Sequence, residues 1–294
     1  MNHVVHRLSC RYKIFADDIK LYLSSAPNAP SVGSGPLQQD IDMLVTTGAS
    51  WGLVMNTDKC VCLRFGPRSL GDCSAGSSPY SVGGVRIKFS RTHSDLGVKV
   101  DRNLKFHDHI RETAGACNGI TTNLFTSTAC REPNFLLSIY KMHVRHKLEY
   151  GSQIWNLGYL GDLRSLERVQ RRWTRGMRGL EALPYSERLQ RLGLFSVQGR
   201  LLRADLIQTW KIFSGHCAIS PVQVFQLDRS SRRGHSRKIF LPRANLEIRR
   251  RFFSIRVIPF WNSLSEDAVS APTLTIFKSF LHRDLGQQLF DYIN

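Results

Sequence analysis

From Asp108 onward apolar residues recur with a period near 3.6, and the spacing predicts helices over 108–129, 133–149, 162–178, 185–192 and 196–214. The first hundred or so residues follow another pattern. Apolar and aromatic residues flank Asp17-Asp18 from Tyr12 to Leu23 and read as two short strands with the Asp pair at the turn. Pro27 to Pro36 is a loop by composition, and the helix after it carries Leu37, Ile41, Leu44, Gly48 and Trp51 on one face. A strand from Cys60 to Phe65 leads into a loop from Gly66 to Pro79 that is rich in Gly, Ser and Pro. Gly83-Gly84 then turns a hairpin between Tyr80-Ser81-Val82 and Val85-Arg86-Ile87-Lys88-Phe89. The pattern predicts an α+β fold, with a small sheet-bearing part joined to a mostly helical body.

Charge adds a partner to this picture. The 294 residues, enough for about two domains, carry 41 Lys and Arg against 23 Asp and Glu, a net +18. Residues 1–150 hold 18 basic and 12 acidic side chains and residues 151–294 hold 23 and 11, so the excess sits mainly in the C-terminal half. A polyanion, RNA or DNA, is the expected partner. An acidic membrane surface is the rival, but no apolar run reaches the length of a membrane span and the N-terminus does not read as a signal peptide, so no membrane partner is expected. The seven cysteines, at 10, 60, 62, 73, 117, 130 and 217, form no Cys-x-x-Cys pair and lie at no zinc-ligand spacing from His. Structural zinc is not expected, and reduced thiols point to an intracellular location, cytoplasm or nucleus. Cys60 and Cys62, two apart on a predicted strand, are expected as small side chains on one sheet face.

Three places carry candidate chemistry. Asp17 and Asp18 set like charges side by side, which costs free energy unless cations are brought to them; paired Mg²⁺ ions on carboxylates are one use of such a pair, and a solvated turn is the other. The helix predicted from Asp162, taken as its N-cap, has Leu163, Leu166, Val169 and Trp173 as an apolar stripe and Arg164, Arg168, Arg171, Arg172, Arg175 and Arg178 around the rest, with only Glu167 and Glu181 as opposing charge. Phosphate suits such a face because the guanidinium fork matches it. A second basic cluster holds Arg232, Arg233, Arg237 and Lys238 around Gly234-His235-Ser236, with Arg249-Arg250-Arg251 further on. His235 reads as a turn or core residue, and Phe253, Val257, Phe260 and Trp261 follow helical spacing and read as core rather than as stacking platforms.

The order of several motifs carries further information. Phe15-Ala16-Asp17-Asp18 resembles the catalytic palm hairpin of the reverse transcriptases of non-LTR retrotransposons. Trp51 with Asn56-Thr57-Asp58-Lys59-Cys60, then His93-Ser94-Asp95-Leu96-Gly97-Val98, then Asn103 to Ile110 resemble that family's helix-to-strand segment, primer-gripping hairpin and start of the thumb, in the family's order. Leu148 to Asn156, Leu166 to Arg172, Tyr185 to Leu189, Arg233 to Ser236 and Phe253 to Leu264 are similar to the segment after the thumb in jockey-like and CR1-like elements.

The resemblance implies a partial palm over 1–104, a thumb over 105–150 and a basic helical region over 151–294. It implies Mg²⁺ held by Asp17 and Asp18, Lys59 as a proton donor to the leaving pyrophosphate, primer contact at Leu96 and Gly97, and RNA and DNA as template and primer. The stretch ahead of Phe15 is too short for the family's first metal-binding Asp, its fingers or its endonuclease, so a truncated polymerase, inactive alone, is expected. A non-catalytic nucleic-acid-binding remnant and a decayed reading frame are the alternatives.

Overall fold

The computed structural model describes residues 7–24, 35–66, 77–228 and 234–291. They form two compact units, Met1–Asn103 and Leu104–Asn294.

In the first unit β1 (Arg11–Phe15) and β2 (Asp18–Tyr22) pair antiparallel as a two-stranded hairpin, with Phe15 opposite Asp18. Helix α1 (Gly35–Ser50) buries Ile41 and Leu44 as its period requires. Trp51 does not share that face: Gly52 takes φ +72, the chain turns back so that Leu53 N–H donates to Gly48 O at 2.9 Å, and Trp51 is left 47% exposed beyond the last turn. Strand β3 (Val61–Leu63) pairs parallel with β5 (Val85–Ser90), which pairs antiparallel with β4 (Ser77–Val82) across the Gly83-Gly84 turn. Strand β4 thus begins inside the stretch expected as a loop. Ile41, Tyr80, Val82 and Ile87 form the core, with Cys60 and Cys62 both packed against it as small side chains. A last hairpin pairs β6 (Thr92–Asp95) with β7 (Val98–Asp101).

The second unit is helical, and periodicity located its long elements as far as Phe213 but not the helix Leu274–Leu285 near the C-terminus. Helix α2 (His107–Ser127) is followed by α3 (Pro133–Ile139), a π-helical stretch over Tyr140–Arg145, and α4 (His146–Glu149), which together fill the expected 133–149. Helix α5 (Leu160–Arg175) starts before Asp162: Tyr159 is the N-cap, and the Asp162 carboxylate lies 2.8 Å from His107 Nδ1 instead. Helices α6 (Tyr185–Leu192) and α7 (Val197–Phe213) follow, and α8 (Leu274–Leu285) closes the fold. Residues on either side of 150 share one core: Trp173 of α5 donates to Leu136 O at 3.1 Å and its ring lies 5.7 Å from that of Tyr140.

The C-terminal core gathers Trp210, Val257, Ile258, Trp261 and Phe277. Phe253 packs against it as expected, but Phe260 is 39% exposed: the helical run breaks at Val257 into Phe253–Arg256 and Ile258–Asn262, with Pro259 in the first turn of the second. His235 is a core residue, its Nε2 2.9 Å from Trp261 O. Among the described residues no helix is long and apolar enough to cross a membrane.

Candidate functional site

The Asp-Asp hairpin closes on two residues, Ala16 and Asp17. Ala16 takes φ +52, a left-handed conformation that costs an L-residue about 1–2 kcal/mol. Phe15, Asp17 and Asp18 all stand exposed at this tip. The base of the hairpin is held by Asp40, which sequence reasoning passed over: its carboxylate accepts from Cys10 N–H at 2.7 Å, Ser9 N–H at 3.1 Å and the Ser9 hydroxyl. Burial alone would raise the Asp40 carboxyl, but these hydrogen bonds outweigh it and hold the group below its ordinary range.

Lys20 of β2 forms an ion pair with Asp95, the residue before the Leu96-Gly97 turn, so the structure ties the two predicted motif hairpins together. Leu96 (φ +46) and Gly97 (φ +79) make a two-residue turn of the kind that needs positive φ at both positions. Lys59 ends the 3-10 turn Thr57–Lys59, exposed, and its side chain is not joined to the Asp pair. Two exposed carboxylates suit a hard cation but do not complete a site for one. Two-metal chemistry needs more oxygen ligands, and among the described residues no group of three or more His, Cys, Asp or Glu side chains could hold a metal ion.

Helix α5 presents its sides as the period requires: Leu163, Leu166, Val169 and Trp173 are buried, while Arg164, Arg168, Arg172, Arg175 and the following Arg178 are exposed. Glu167 does not oppose these charges. It is 3% exposed and turned inward, accepting from Val197 N–H at 3.0 Å, Gln198 N–H at 3.3 Å and the Tyr185 hydroxyl, so that it caps the start of α7. Burial raises its carboxyl, against those hydrogen bonds. Its place one turn after Leu163, on the apolar side, is the sequence signal that gives this away.

At the C-terminal end of α5 a cleft of about 470 Å³ is lined by Phe125, Arg171, Arg172, Arg175, Gly176 and Arg188. No carboxylate is among them. Arg171 and Arg188 lie over the Tyr185 ring at 5.0 and 5.3 Å, and Arg188 also donates to Arg171 O at 2.9 Å. Arg172 donates to Thr122 Oγ1 at 3.0 Å. Phe125 packs on Trp173 at 5.5 Å and beneath Arg131 at 5.0 Å, so close to Gly176 that a Cβ there would fall 2.5 Å from Phe125 Cε2. Arg188, on another helix and only 6% exposed, carried no signal in the linear pattern.

Of the second basic cluster, the described residues Arg237 and Lys238 do not line this cleft. Arg232 and Arg233 lie outside the described residues. Arg237 is turned to the fold, donating to Val269 O at 2.9 Å, and the half-buried Lys238 lies against Gly234.

Compared with curated proteins, the chain is 26% identical over 169 residues, 56% of its length, to the RNA-directed DNA polymerase from mobile element jockey of Drosophila melanogaster. The match spans 18% of that protein's length. No protein-family model and no solved structure matches the chain. The chain is thus distantly similar to a mobile-element reverse transcriptase.

Proposed function

We propose that this chain is the part of a non-LTR retrotransposon reverse transcriptase that runs from the catalytic hairpin onward, and that by itself it binds nucleic acid rather than copying it. The observation that carries the reading is the arginine face of α5 with the carboxylate-free cleft at its end. Similarity to a mobile-element RNA-directed DNA polymerase supplies the class of partner, template RNA and primer DNA. In the intact polymerase residues 1–104 would contribute to the palm, 105–150 to the thumb and 151–294 to a basic region beyond it. Asp17 and Asp18 would join a carboxylate from another palm strand in holding Mg²⁺, whose charge would offset that of the transferring phosphoryl group. Leu96 and Gly97 would set the primer end, and Lys59 would reach the leaving pyrophosphate.

In isolation, binding is what these residues can do. Guanidinium groups on phosphates release counterions and read no bases, so affinity should be general and salt-dependent. The test is fluorescence anisotropy of a labelled RNA–DNA duplex with the full chain across a salt series. Log affinity should fall linearly with log salt, and replacing Arg168, Arg172 and Arg175 by Gln should lower the slope by up to about two to three units. Unchanged affinity and slope, with circular dichroism intact, would make α5 a solvated face and defeat the reading. A parallel primer extension with Mg²⁺ should show no template-dependent incorporation; incorporation that Asp17→Ala abolishes would restore full catalysis to the chain.

A further inference from the structure

Accepting that the α5 face meets nucleic acid, we infer that the cleft at its end is an end-recognition site, taking the terminal phosphate of a strand. Four arginines from α5 and α6 line one open cleft. A backbone phosphodiester carries a single charge and is met in passing along a groove, whereas a terminal phosphomonoester carries about −1.5 to −2 with three acceptor oxygens. Four arginines lining one cleft, with Arg171 also drawn to the buried Glu167 carboxylate, suit the second better than the first.

Three of the four side chains are also held in place before any ligand arrives. Tyr185 lies under Arg171 and Arg188, and its own hydroxyl is fixed by Glu167 and by Gln170 Nε2 at 2.9 Å. Arg188 is anchored on the Arg171 carbonyl, and Arg172 on Thr122. Such preorganisation lowers the ordering cost of binding. A volume of about 470 Å³ exceeds what one phosphate needs and leaves room for the attached sugar. Arg168 and Arg164 continue the same side of α5 one and two turns away from the cleft, so a strand seated by its end finds further cations along its backbone.

The experiment compares one short single-stranded RNA, labelled internally, in three forms: 5′-phosphate, 3′-phosphate and both ends hydroxyl, each titrated with the full chain. One phosphate-ended form is expected to bind about tenfold tighter than the hydroxyl form, the scale of one added charge-assisted contact. Arg175→Gln and, separately, Arg172→Gln should each weaken the phosphate-ended form distinctly more than the hydroxyl form, so that most of the preference is lost. Arg168→Gln should weaken all forms alike. Inorganic phosphate should compete for the preference and not for the remaining binding. Equal affinity for all three forms, with strand binding retained, overturns the end site and leaves the binding function standing. Failure to bind any form overturns both.

Discussion

Gly199 shows how a single atom decides a position. It lies on α7 where helix propensity favours Ala over Gly, yet a Cβ there would sit 2.1 Å from the carbonyl oxygen of Leu289. Backbone cannot step aside as a side-chain tip can, and the same Leu289 carbonyl accepts from Ser196 N–H at 3.1 Å. Gly199→Ala is therefore expected to destabilise by about 1–3 kcal/mol in chemical denaturation; a stabilised variant would show that the C-terminal turn is not docked there. Glu266 gives a pH-dependent counterpart. Hydrogen bonds from the Ser270 hydroxyl, the Ser236 hydroxyl and Ser236 N–H pull its carboxyl from an ordinary 4.5 to about 2. A depressed carboxyl lends stability that is fully present above the unfolded value and lost as pH falls through the folded one. The difference in denaturation midpoint between wild type and Glu266→Gln should hold steady above about pH 4.5 and vanish as pH approaches about 2. A difference that persists at the acid end would mean that the carboxylate form is not what ties Ser236 down.

Elements with a strong period were legible in the sequence, and elements set by contacts distant in the chain were not. Helices α2, α5, α6 and α7 fall within two or three residues of their expected spans because burying one stripe is a local, repeating requirement. The π-helical stretch over Tyr140–Arg145 changes the hydrogen-bond ladder but not the line of apolar residues, so periodicity read through it. Glu167 and Arg188 took their roles from α7 and Tyr185, and only the fold brings those near. Asp40 likewise looked like one more helix residue, although it is the clamp on the Asp-Asp hairpin. That hairpin has no further strand partner among the described residues, and Phe15 at its tip is 61% exposed. Its order depends on the clamp. In Asp40→Ala the amides of residues 11–22 should exchange with solvent distinctly faster while those of 160–175 are unchanged, measured by hydrogen exchange with NMR or mass spectrometry. Equal protection in the two proteins would locate the anchor elsewhere.

At the scale of the whole molecule, charge and core divide the same way. Residues 104–294 hold 29 basic and 15 acidic side chains, against 12 and 8 in residues 1–103. The arginine helix and its cleft are in the larger unit, as are the fully buried Trp155, Trp173, Trp210 and Trp261, while Trp51, in the smaller, is half exposed. A unit with its own core can fold alone, and one that holds most of the cationic surface should keep most of the binding. The fragment 104–294 is accordingly expected to unfold cooperatively, with a tryptophan-fluorescence transition at the denaturant midpoint of the full chain, since four of five indoles report on it alone. Its affinity for an RNA–DNA duplex should stay within about threefold of the full chain, with a salt slope lower by no more than about one unit, because few phosphate contacts are assigned to residues 1–103. Should the fragment fold and yet lose tenfold or more in affinity, the hairpins carrying Asp17, Asp18, Leu96 and Gly97 would be part of the binding surface even without chemistry, and the division of labour between the two units would have to be redrawn.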